Sequence, residues 1–243
     1  MKINIRKTTE IHSLDQWFNV APPEGGSKQW KVGRSALEMA RFALSEEFST
    51  VIDKVLKECG LNEHSFICEP EALTSFEHGM GTGGPRHHDL LMIGSNTVIG
   101  IEAKVSESFD RRIGEKRKGA SENMNQRLDS CLQYLYNSTP ENAGELYYQL
   151  FSATIGSIIA AKSQKEKNIK NVISLFVVFV GNVDKEDDYD KRVSDNDEAF
   201  KQFCESFGLD ENGGKLPEIP KAPEINCWIK KVKVHIGDYS ISK

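Results

Sequence analysis

Apolar residues at Ala36, Met39, Ala40, Ala43, Leu44 and Phe48, and again at Val51, Ile52 and Val55, recur at helical spacing. They predict one amphipathic helix over 35–59, opened by a Ser35/Glu38 capping box and stopped at Gly60. The period then changes. Residues 66–77, 87–93 and 98–105 read as strands, separated by the turn-forming stretches GMGTGG (79–84) and GSN (94–96). Helical spacing returns at Met124, Leu128, Leu132 and Leu135, and ELYYQLFSATIGSIIAAK (145–162) is apolar nearly all round, as a central helix would be. NVISLFVVFVG (171–181) is a continuous β-branched and aromatic run, which predicts a strand covered on both faces. The acidic stretch 184–198 reads as a solvated loop that ends in a helix start at Ser194, with Asp197 in its box position and Phe200, Phe203, Cys204 and Phe207 on the apolar face. In CWIKKVKVHIG (227–237), Val232, Val234 and Ile236 alternate with Lys231, Lys233 and His235, as in an edge strand. Helix, three strands, two helices, strand, helix, strand is the order of one α/β domain with a central mixed β-sheet flanked by helices.

One strand breaks the pattern. In VIGIEAKV (98–105), side chains two apart face the same way, so Glu102 and Lys104 project together, roughly 6–7 Å apart. Ile99, Ile101, Ala103 and Val105 face the core, while Gly100 shares the polar face and leaves space beside Glu102. Pairing with 87–93 would bring Asp89 to Glu102. Two carboxylates and a nearby backbone carbonyl make a hard oxygen site suited to Mg²⁺. Lys104 could then orient or help deprotonate a water and stabilise charge on a phosphoryl oxygen. A strand end emerging into solvent with an ordinary ion pair would carry the same residues, and the residues alone leave both readings open.

Charge and composition narrow the field. Among 243 residues, 36 acids against 31 Lys and Arg leave a net charge of −5, unlike a protein that coats nucleic acid nonspecifically. A local basic groove stays compatible with that balance. RRIGEKRKG (111–119) supplies one, with Arg111, Arg112, Lys116, Arg117 and Lys118 as phosphate-backbone contacts or, equally, as a solvated mobile loop. No 18-residue apolar run predicts a membrane helix, and MKINIRKTTEIHSLDQW has no signal-peptide core. Five cysteines, odd in number and never spaced C-x-x-C, predict free thiols in a reducing cytoplasm. Gln149 lies in a nearly all-apolar helix, where an amide needs a partner, although a partly exposed position would also supply one. Arg34 could cap a helix, contact phosphate or join a structural ion pair. His87-His88 reads as a flanking or substrate-contact pair ahead of zinc, and GMGTGG as a hairpin turn ahead of a phosphate loop.

Asp89, followed after a turn by Glu102-Ala103-Lys104, resembles the D…(D/E)-x-K signature of the PD-(D/E)-x-K nucleases. The order of elements over about 35–181 also resembles their core, with one extra helix and with His88 where the signature has Pro. The resemblance implies a restriction-endonuclease-like core, with 1–34 and a helix–strand segment at 182–243 as extensions of a single domain. It implies phosphodiester hydrolysis with Mg²⁺, or Mn²⁺ in its place. Asp89, Glu102 and the Ala103 carbonyl would bind the metal, and Lys104 would act on the water. Early-helix acids often join that metal site, which makes Glu38 a candidate besides its capping role, and a helical Gln orients active-site groups in some relatives, as Gln149 could. QWKVGRSALEMA, IEAKVSESF, QRLDSCLQYL and LYYQLFSATIGSIIAA resemble more closely a bacterial family of uncharacterised proteins with that core. The resemblance implies a cytoplasmic nuclease, DNA ahead of RNA, with a role in restriction or phage defence and with homodimers common among such enzymes. From another class, a catalytically silent nuclease-like module binding nucleic acid or a protein partner fits the same residues.

Overall fold

The computed structural model describes residues 1–76, 80, 84–105, 107–181 and 189–239. Its elements are β1 (Lys2–Ile5), α1 (Leu14–Val20), α2 (Ser35–Ala43), α3 (Glu46–Glu58), β2 (Ser65–Thr74), β3 (Arg86–Ile93), β4 (Thr97–Lys104), α4 (Ile113–Arg117), α5 (Glu122–Leu135), α6 (Tyr148–Ser163), β5 (Asn171–Val180), α7 (Tyr189–Glu205), β6 (Gly213–Lys215) and β7 (Asn226–His235). The fold is α/β. One mixed sheet runs β1-β2-β3-β4-β5-β7-β6, so both flanks of the sequence add strands to it. The β1–β2, β4–β5 and β5–β7 pairs are parallel and the rest antiparallel. One core layer gathers Trp17, Met39, Phe42, Phe48 and Ile52 from α1–α3 against Ile99, Ile101 and Ala103. The other gathers Leu128, Phe151, Ile155, Phe200 and Phe203 from α5–α7 against Val98 and Phe176.

Several expectations change. The helix over 35–59 is two helices, because Ser45 is extended at φ −92° and ψ 162°. Ser-Glu-Glu at 45–47 suits a new N-terminus, with acids in the first turn against the helix dipole. The bend lets Phe42 and Phe48 meet edge to face at 5.2 Å. Arg34, not Ser35, caps α2, without a side-chain hydrogen bond. Helix α7 starts at Tyr189, five residues before Ser194, and Asp197 is no cap: it accepts from Lys231 (2.7 Å) and Lys233 (2.6 Å) of β7. β7 is therefore not an edge, for β6 pairs beyond it and α7 answers its lysines. β1 and β6, each four residues or fewer, carry too little pattern to be read. The GSN hairpin is held by Glu63, which accepts from the Ser95 and Asn96 N–H groups at 3.0 Å. Most of GMGTGG and the acidic residues 184–188 lie outside the described residues.

Candidate active site

Regular pleating would put His88, Leu90 and Met92 on one face of β3. Leu90 and Met92 do join the α1–α3 layer. His88 instead lies against α6, where a Cβ on Gly156 would come within 3.2 Å of its ring. On β2 the same switch occurs: Phe66 and Cys68 belong to the α1–α3 layer, Ala72 to the other. Its cause is Glu71, in the left-handed region at φ 47°. The Pro70–Leu90 and Ala72–His88 pairs flank Glu71 and Asp89, so the two acids face each other where both strands reverse. The reversal also turns Arg86 toward β4.

Glu102 receives three donors there. Gln149 Nε2 donates to its Oε1 at 2.5 Å, Lys104 Nζ lies 2.9 Å from the same oxygen, and Arg86 Nη2 donates to Oε2. Asp89 Oδ2 accepts from the Ala103 N–H at 2.7 Å, so Ala103 meets the site through its amide. Asp89 Oδ1 has no hydrogen bond among the described residues. Gly100 does not open space beside Glu102: its missing side chain admits α6, since a Cβ would sit 2.0 Å from Ser157 Oγ. That close approach sets Gln149 over β4.

Asp89, Glu102, Lys104 and Gln149 line one cavity of about 230 Å³, with Arg34, Glu71, Arg86, His87 and Glu107. Five acids, counting Glu24, face Arg34, Arg86 and Lys104 across it. Burial and the Asp89 charge push the Glu71 carboxyl up to about 8. Burial pulls the Lys104 ammonium down, with the Asp89 and Glu107 charges acting in the opposite sense. Burial likewise pushes the His88 imidazole down to about 3, and it bonds Thr74 Oγ1 at 3.0 Å as a neutral ring.

The donor set fits Mg²⁺. Among the described residues no three of His, Cys, Asp and Glu converge tightly enough to hold an ion unaided. Mg²⁺ characteristically takes one or two carboxylates and fills its octahedron with water and substrate oxygens. Asp89 and Glu102, which line the same cavity, would serve as such a pair, with Asp89 Oδ1 free of hydrogen bonds among the described residues.

Glu38 stands elsewhere. It is fully buried and accepts from the Gly33 N–H (2.8 Å), Arg41 (3.3 Å) and the Tyr239 hydroxyl (2.5 Å), tying the start of α2 to the C-terminal segment. The basic stretch is no loose loop: Ile113 is buried, and α4 holds it against the tail of the 136–147 connection through Ile113 N–H to Leu146 O at 2.9 Å. Arg112 pairs with Glu145, Lys116 with Asp110 and Arg117 with Asp129. Arg111 and Lys118 are exposed and have no ion pair among the described residues. Glu71, Arg86 and Glu107 were not legible as site residues. Glu71 alternates with Glu69 as a solvent-facing pair would, and Arg86, three positions before Asp89, shows its role only through the strand reversal.

A family model described as a domain of unknown function (DUF6946) matches residues 10–238. No curated protein and no solved structure matches the chain. Among the described residues no helix is long and apolar enough to cross a membrane, and all five cysteines are free and buried.

Proposed function

We propose that this chain, which belongs to the DUF6946 family, is a divalent-metal-dependent nuclease with a restriction-endonuclease-like core, hydrolysing phosphodiester bonds in nucleic acid, DNA ahead of RNA. The observation that carries the proposal is the convergence of Asp89, Glu102 and Lys104 in one cavity, with Gln149 fixing the Glu102 carboxylate. Mg²⁺ or Mn²⁺, when bound by Asp89 and Glu102, supplies Lewis-acid polarisation of a phosphoryl oxygen and a more acidic water. Gln149 keeps Glu102 in one orientation. Lys104, desolvated beside Asp89 and Glu107, is placed to orient the attacking water and to stabilise charge developing on the phosphoryl oxygen. Free thiols suit a cytoplasmic setting.

A second reading has its own observation. Arg86, Lys104 and Gln149 already satisfy Glu102 without a metal, as they would in a silent module that only binds nucleic acid or a protein. Cleavage of single- and double-stranded DNA and RNA with Mg²⁺ or Mn²⁺, beside binding measured in Ca²⁺, separates the two. For a nuclease, Lys104→Ala loses about 10²–10³ in rate while affinity barely changes. Binding of nucleic acid by wild type with no cleavage of any of the four substrates supports the silent module. Equal cleavage by wild type and Lys104→Ala overturns the assignment.

A further inference from the structure

Arg86 is a buried cation for which the proposed reaction has no part. Its side chain is 12 % exposed, its Nη2 holds Glu102 Oε2, and its buried Nε has no partner among the described residues. Gly156 of α6 makes room for it, since a Cβ there would lie 2.9 Å from Arg86 Cγ. Two further acids, Asp89 and Glu71, act on its charge. Glu102 is 3 % exposed, and a carboxylate so buried needs a counter-charge at all times. Its Oε1 is taken by Lys104 and Gln149. Oε2 is thus the oxygen a divalent ion would use, and Arg86 occupies it.

We propose that Arg86 is a stand-in cation: it holds Glu102 Oε2 in the metal-free protein, competes with the divalent ion for that oxygen, and leaves it when the ion binds. This rests on the metal-dependent reading above. The unpartnered Nε matters because, among the described residues, no second acceptor locks the guanidinium in place. Once displaced, Arg86 remains on the wall of the same cavity, where its planar donor fork suits a substrate phosphate. No covalent step is involved, only exchange of one cation for another on one carboxylate oxygen.

The test is calorimetric titration of wild type, Arg86→Met and Arg86→Lys with Mn²⁺ at constant ionic strength, with thermal melts to verify folding. Removing a competing unit charge at contact distance should tighten Mn²⁺ binding by about tenfold to a hundredfold in Arg86→Met. Arg86→Lys, with a shorter arm, should fall between. In wild type, saturation with Mg²⁺ should shift the Arg86 Nε–H resonance, identified by its loss in either variant. That resonance and Arg86→Lys decide the matter if Arg86→Met does not fold. A folded Arg86→Met that binds Mn²⁺ no more tightly than wild type, or an unmoved resonance at saturation, overturns the stand-in role. If wild type binds and cleaves in that case, only the role of Arg86 falls. If wild type neither binds Mn²⁺ nor cleaves any nucleic acid, the nuclease reading falls and takes this proposal with it.

Discussion

Replacing Glu71 by Gln probes the cavity's electrostatics without assuming any reaction. Glu71 faces Asp89 where β2 and β3 reverse, and burial with that neighbouring charge lifts its carboxyl from 4.5 to about 8. The folded protein therefore holds this proton over a range in which the unfolded chain has released it. Stability from Glu71 is fully present below pH 4.5 and is lost as pH rises through about 8. Gln keeps the shape and has no such dependence. At about 1.4 kcal/mol per pH unit, the advantage of Glu71→Gln over wild type should grow by roughly 3–4 kcal/mol between about pH 5 and about pH 8.5. For a chain of this size each kcal/mol moves Tm by about 2–4 °C, so the gap in Tm should widen by about 10 °C. Melting both proteins with a chelator present, by circular dichroism at the two pH values, makes the comparison, and every other titrating group cancels in the difference. A Tm gap that is the same at both pH values would show that Glu71 ionises normally and that the facing of two acids across the reversal is wrong.

Gly100→Ala should cost about 1–3 kcal/mol, because a Cβ placed 2.0 Å from Ser157 Oγ and 3.0 Å from Ser157 Cβ must displace that side chain or shift α6 from β4. Ser157→Ala alone should be nearly neutral, since that hydroxyl donates to the Ala153 carbonyl within its own helix, and the double variant should recover part of the loss; strictly additive effects in denaturant unfolding would refute the close approach. For the basic segment, neutralising Arg111 and Lys118 should flatten the slope of log affinity for duplex DNA against log salt by nearly two, about 0.9 for each lost phosphate contact. Arg112, Lys116 and Arg117 already serve Glu145, Asp110 and Asp129, so neutralising them should change the slope less and lower Tm slightly; an equal slope change at all five positions would contradict the ion pairs.

Local pattern was enough wherever one periodicity ran uninterrupted. The buried run of β5, the all-round apolar α6 and the polar face of β4 follow from side-chain spacing, because a strand alternates its faces and a helix repeats every 3.6 residues. The same alternation put Glu102 beside Lys104, and the antiparallel hairpin brought Asp89 to them. The amide of Gln149, implausible without a partner in an apolar helix, found one in Glu102.

What the sequence could not decide were events set by contacts distant along the chain. Helical spacing continues through Leu44 and Ser45, yet the helix breaks there so that Phe42 and Phe48 can bury together. Lysines on alternate positions of β7 look solvent-facing until α7 lays Asp197 over them. Glu38 has the same short-range environment as a capping acid or a site acid, and only Tyr239, two hundred residues away, shows where its carboxylate goes. Glu71 and Arg86 depend on a reversal of faces in two paired strands. No residue type announces it, because a non-glycine residue enters the left-handed region at a cost of roughly 1–3 kcal/mol that only the surrounding packing can offset. Sequence alone thus determined which residues share a face wherever the local backbone period ran unbroken, whereas tertiary structure decided where that period breaks and which faces meet, since both depend on packing free energy summed over the whole sheet.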